Sequence, residues 1–165
     1  MLYYSLVRSH IDSGCLIWDL TANSRVKSIE RVQKIFLRYL YYRDFTYIDR
    51  SISYKELTIG YGILSIVDRK IILSMKFLYN LLHGKIDSPT LLSTLKFKVP
   101  ARQGRIGDTF TLPRARTDIS LQKSPMNRIM DTYNKLLAHN RGIDVFFDGK
   151  KQFEQKVLEA VLARR

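Results

Sequence analysis

The residues of this chain best suited to chemistry are cations. Arg25, Lys27, Arg31, Lys34 and Arg38 recur along one segment, and Lys98, Arg102, Arg105, Arg114 and Arg116 cluster in another, near Phe97 and Phe110. Arginine forks bind phosphate oxygens in pairs, and aromatic rings stack on unpaired bases. Both sets are therefore candidate nucleic-acid contacts, the alternative for each being a solvated charged surface.

Groups for bond-making chemistry are scattered. Two-metal nucleotidyl transfer needs carboxylates that hold two ions a few ångströms apart, and the chain has no Asp-Asp pair. His10, His83 and His139 lie far from one another, without metal-ligand spacing. His83 falls at a helix end, where the dipole favours its charge. No serine stands in a nucleophile-elbow context. Gly60-Tyr61-Gly62 lacks the preceding strand and third glycine of a phosphate loop, and Ile86 follows Gly84-Lys85 where a Walker motif needs Ser or Thr. The residues point to no catalytic site, no metal and no cofactor.

Helices must position the cations. From Asn23 to Tyr42, Val26, Ile29, Val32, Phe36, Tyr39 and Leu40 form an apolar stripe, with Ser24 as N-cap and the basic residues opposite. Before it, Leu2, Leu6 and Ile11 begin in helical register with no cap, which predicts a helix starting further upstream and a truncated product; Gly14 ends this helix. Leu16-Ile17-Trp18 is a short apolar segment in which Trp18 anchors a core. Ser53-x-x-Glu56 has the form of a capping box and opens a helix ending by Gly60. Ser65-x-x-Asp68 opens the longest one, with Val67, Ile71, Met75, Leu78 and Leu82 as its stripe and Gly84 as its stop. Ser88-Pro89 and Ser124-Pro125 read as cap plus first-turn proline. The helix after Pro125 turns Met126, Ile129, Met130, Tyr133, Leu136 and Leu137 inward and stops at Gly142. Asp148 caps the last helix, which carries Phe153, Val157, Val161 and Leu162. Between 96 and 123, Pro100, Gly104, Gly107 and Pro113 break any period. That segment reads as an irregular basic arm with extended pieces at Phe97–Val99 and Thr109–Leu112.

The chain has 165 residues, a hydrophobic fraction of 45%, 28 Lys and Arg against 15 Asp and Glu, a net charge of +13 and a pI near 10.0. The apolar fraction argues against disorder and the length is enough for one core. A charge this large favours polyanions. Cys15 is the sole cysteine; it rules out an internal disulfide and reads as a small buried hydrophobe in a reducing compartment. No apolar run approaches the ~20 residues that span a bilayer, and no signal peptide is evident. The expected fold class is mainly α: an irregular multi-helix domain of six or seven helices with one long basic arm and little or no sheet. The expected organisation is a single domain with a helical part at 1–95, the arm at 96–123 and C-terminal helices at 124–165.

Several stretches carry a resemblance. Leu2-Tyr3-Tyr4-Ser5-Leu6-Val7-Arg8-Ser9-His10-Ile11, then Gly14 and Trp18, precede Ile29-Glu30-Arg31-Val32-Gln33-Lys34-Ile35-Phe36-Leu37-Arg38. Leu78-Tyr79-Asn80-Leu81-Leu82-His83-Gly84-Lys85-Ile86-Asp87 and Ser124-Pro125-Met126-Asn127-Arg128-Ile129-Met130 follow. In order and spacing these words resemble the region just after the polymerase core in reverse transcriptases of jockey-like non-LTR retrotransposons. Ser13, where that family has tyrosine, and Asp19, where proline often follows the tryptophan, depart from it. The resemblance implies a thumb-like and tail region downstream of the catalytic palm. It implies a fragment of an RNA-directed DNA polymerase, not an enzyme alone, that binds RNA or an RNA/DNA duplex non-specifically. The implied partners are nucleic acid and the missing polymerase core, with no membrane, in the nucleus or cytoplasm. The alternative reading is a helical protein-interaction module or a non-functional remnant of a mobile element.

Overall fold

The computed structural model describes residues 3–17, 23–45, 51–99, 108–113 and 124–164, without the side chains of 23–25. Its elements are a π-helical segment Tyr3–Arg8, then α1 (Ser9–Gly14), α2 (Asn23–Asp44), α3 (Tyr54–Gly60), α4 (Ile66–Leu82), α5 (Pro89–Ser93), α6 (Pro125–His139) and α7 (Lys150–Leu162). The chain is mainly α, with no strand among the described residues beyond one isolated bridge. Trp18 and Asp19 lie outside what is described; Ser24, expected as the N-cap of α2, lies inside the helix, which already begins at Asn23. By packing, the chain forms two compact units, Met1–Lys70 and Ile71–Arg165.

In the first unit α2 packs on α3. Leu37, Leu57 and Ile63 form its core, covered by Phe36, Tyr41, Ile52, Tyr54 and Tyr61. The start of α3 is as the sequence predicts: the Ser53 hydroxyl accepts from the Glu56 amide, and the Glu56 carboxylate accepts from the Ser53 amide. Both orphan donors of the first turn are satisfied. The turn after α3 passes through Gly62 at φ 61°, a left-handed conformation that favours glycine.

The inward face of α2 differs from the stripe predicted above. Val32 and Tyr39 point to solvent, and Gln33, fully buried, takes the central position with Leu37. The cause is a polar tie. Tyr3 Oη donates to Gln33 Oε1 (3.3 Å), and Gln33 Nε2 donates to the Leu64 carbonyl (2.9 Å). A glutamine satisfied at both ends can sit in a core, and the Tyr3 ring, stacked on Phe36 at 3.9 Å, closes the same side. Arg69 Nε donates to both carboxylate oxygens of Asp12 (2.6 and 2.7 Å), tying α4 to α1. Val67, placed on the α4 stripe by its spacing, is also exposed.

In the second unit α6 packs on α7. The buried residues include Met75, Leu78, Leu81, Met130, Leu136, Ile143, Phe153 and Val157. Gly84 takes φ 65° beyond the end of α4, the left-handed stop expected there. Pro89 and Pro125 open α5 and α6, but neither Ser88 nor Ser124 makes a side-chain cap bond.

Asp148 does not cap α7, contrary to expectation; Gly149 holds that position. Its carboxylate is committed elsewhere. Oδ2 accepts from the Asp144 amide (2.9 Å) and Oδ1 from Lys156 Nζ (2.6 Å). Lys156 also donates to the Gly142 carbonyl (2.7 Å), so one ammonium fastens the turn between α6 and α7.

Candidate nucleic-acid interface

The spacing of Lys27, Arg31, Lys34 and Arg38 is four, three and four residues, one line on a helix. Over eleven residues that line runs about 16 Å, the rise of roughly five base pairs. Lys27 and Arg31 are exposed and Lys34 and Arg38 half-buried. None of the four pairs with an acid among the described residues. Glu30 borders the line, three residues after Lys27 and four before Lys34, but forms no ion pair with either among the described residues. Glu30 is half-buried on the inward side, where burial, reinforced by Asp68, raises its carboxyl; Asp44 pairs with Arg43 at 3.0 Å. The Arg25 side chain lies outside the described residues.

Of the second set, Lys98 is exposed and stands 3.6 Å from Asp108, both well solvated. Arg102, Arg105, Arg114 and Arg116 lie outside the described residues. The two extended pieces around them do meet. Phe97 and Phe110 form an antiparallel bridge, with Lys98 N donating to the Thr109 carbonyl (2.9 Å) and Thr111 N to that of Lys96 (2.7 Å).

Phe110 is no stacking surface. It is 1% exposed and packs edge-on against Tyr133. The Asn134 side chain takes both its backbone groups: Phe110 N donates to Oδ1 (3.1 Å) and Nδ2 donates to the Phe110 carbonyl (2.8 Å). One amide thus pins the bridge to α6 as a neighbouring strand would.

The exposed aromatics are others. Phe97 is half exposed and lies 5.9 Å from Phe146, and Phe147 next to it is 90% exposed. The Asp144 carboxylate accepts from the amides of both Phe146 (2.8 Å) and Phe147 (3.3 Å). The two rings are therefore presented by a bonded turn. Sequence reasoning passed over Phe146 and Phe147; two adjacent phenylalanines between Asp144 and Asp148 were the available signal. Beside the bridge, Lys96, Lys98, Asp108, Thr111 and Asn134 line an open groove of ≈ 600 Å³.

The chain matches no family model, no curated protein and no solved structure.

The histidines remain separate in role. His83 Nε2 lies 2.9 Å from the Val145 carbonyl and its ring stacks on Tyr79. Cys15 is buried, and burial pushes its thiol up, away from the reactive thiolate. Among the described residues no three of His, Cys, Asp and Glu gather as metal ligands. No helix there is long and apolar enough to cross a membrane.

Proposed function

We propose that this chain is the post-polymerase, thumb-like and tail region of a non-LTR retrotransposon reverse transcriptase, and that it binds RNA or DNA backbones without sequence specificity and without catalysis of its own. The observation that carries the binding is the cationic line Lys27, Arg31, Lys34 and Arg38 on α2. Four cations without acid partners among the described residues concentrate phosphate along a straight edge, and binding there is driven by counterion release. The exposed rings of Phe97, Phe146 and Phe147 offer stacking faces, and Lys96 and Lys98 line a groove beside the same bridge, two features suited to unpaired bases and their phosphates. The family origin rests on the order of the sequence words. No groove-reading motif accompanies these contacts, so sequence preference is slight.

The test is titration of a labelled single-stranded RNA at low salt. Binding is expected for the wild-type chain, with strong weakening in the quadruple variant Lys27→Ala, Arg31→Ala, Lys34→Ala, Arg38→Ala. A wild-type chain that binds no nucleic acid at low salt contradicts the proposal. Primer extension above a no-protein control contradicts its non-catalytic part.

A further inference from the structure

Next to the cationic line, α2 exposes a second one. Val32, Ile35, Tyr39 and Tyr42 are 46%, 60%, 61% and 45% exposed and stand three, four and three residues apart. That is the alternation of the a and d positions of a heptad, which lines up apolar side chains for a facing helix. With Val32 and Tyr39 at a, and Ile35 and Tyr42 at d, the flanking g positions are Arg31 and Arg38 and the e positions are Phe36 and Arg43. Every charge beside the seam is positive. The helix's own core contacts, through Gln33 and Leu37, lie on a different face.

We infer that α2 docks an acidic amphipathic helix of another protein along the seam Val32–Ile35–Tyr39–Tyr42. The e and g positions of a coiled coil select the partner by charge. Arg31 and Arg38 call for glutamates opposite them, while Arg43 is already paired with Asp44. A second copy of this chain would set arginines against arginines, and each copy carries +13. The acids of α2 leave Arg31 and Arg38 unrelieved, because Glu30 is half-buried on the inward side and Asp44 neutralises Arg43 alone. Charge thus excludes the symmetric pairing and favours an acidic helix, while the apolar seam supplies the contact area.

The probe is a four-heptad peptide with Leu at a and d and Glu at e and g, whose own glutamates keep it from pairing with itself. A matched peptide carries Lys at e and g, and polyglutamate lacks the apolar positions. By fluorescence anisotropy on the full chain, the Glu peptide should bind at least about tenfold tighter than either control. Ile35→Asn with Tyr39→Asn, which removes the apolar contacts without adding charge, should weaken it about tenfold or more, with circular dichroism unchanged because both side chains are exposed. If that variant loses helicity, Arg38→Glu on the otherwise intact chain decides, by narrowing the preference for Glu over Lys. Equal binding of the Glu and Lys peptides overturns the inference. So does equal binding of polyglutamate, or a wild-type dimer in sedimentation that Ile35→Asp dissociates. An oligonucleotide whose affinity falls with the uncharged Ile35→Asn and Tyr39→Asn pair as the peptide's does would assign the seam to nucleic acid and overturn it too.

Discussion

Asn134 and Phe147 mark the two extremes at the residue scale. Asn134 is buried and makes both of its bonds to the Phe110 backbone. Asn134→Ala strands a buried amide and a buried carbonyl, so urea unfolding should show a loss of about 1–3 kcal/mol for an unsatisfied group. Leu37→Ala, in the core of the first unit, should cost about 2–5 kcal/mol. Phe147→Ala should leave stability within about 0.5 kcal/mol, as exposed substitutions do, yet weaken single-stranded RNA binding by about 1 kcal/mol or more if the ring stacks on a base.

Asp148 gives the pH dependence. Its burial alone would raise the carboxyl, but the Lys156 ammonium and the Asp144 amide outweigh burial and hold it below its ordinary value. A carboxyl depressed in the folded state adds stability above its unfolded value, near 4. That contribution is lost as pH falls through the lower folded value. The stability gap between wild type and Asp148→Asn should therefore be full at neutral pH and shrink in acid below about pH 4. A gap that widened in acid would reverse the sign of this account.

At the scale of elements, the helix ends were more legible than the cap bonds, since Asp148 does not cap and Ser88 and Ser124 make no cap bond. Ser53 and Glu56, Gly84, Pro89 and Pro125 fall where their local chemistry predicts, because a cap or a left-handed stop depends on neighbours within a few residues. Ser53→Ala should cost about 0.5–2 kcal/mol. Ser88→Ala, at a cap without a side-chain bond, should cost almost nothing. A comparison of the two midpoints in one denaturant series checks both.

Helix faces were less legible than helix ends. The α2 segment is apolar around much of its circumference, so periodicity did not single out which apolar line faces the core. The Tyr3–Gln33–Leu64 tie chose a face containing a glutamine, and that choice joins residues 30 or more positions apart. Val32 and Tyr39 were turned outward by it. Asp148 shows the same limit, since its partner Lys156 lies two helical turns onward and outcompeted the nearer cap. The cationic line was legible because four charges at helical spacing share an edge whichever face is buried.

At the scale of the whole molecule, a net charge of +13 is spread over two compact units. Overall charge supplies long-range attraction to any polyanion, but only a local line of cations fixes how many phosphates are neutralised together. The cations of α2 and those beside Phe97 belong to different units, so their contributions to binding separate by mutation.

The direct test of the account is the salt dependence of RNA affinity, measured for the wild-type chain and for the variant with alanine in place of Lys27, Arg31, Lys34 and Arg38. With ~4–6 phosphates neutralised, log K should fall against log salt with a slope of roughly −3 to −5. The variant's slope should be flatter by about one unit for each phosphate it no longer neutralises. An unchanged slope in the variant would mean that the line on α2 is merely solvated, and would contradict the central claim.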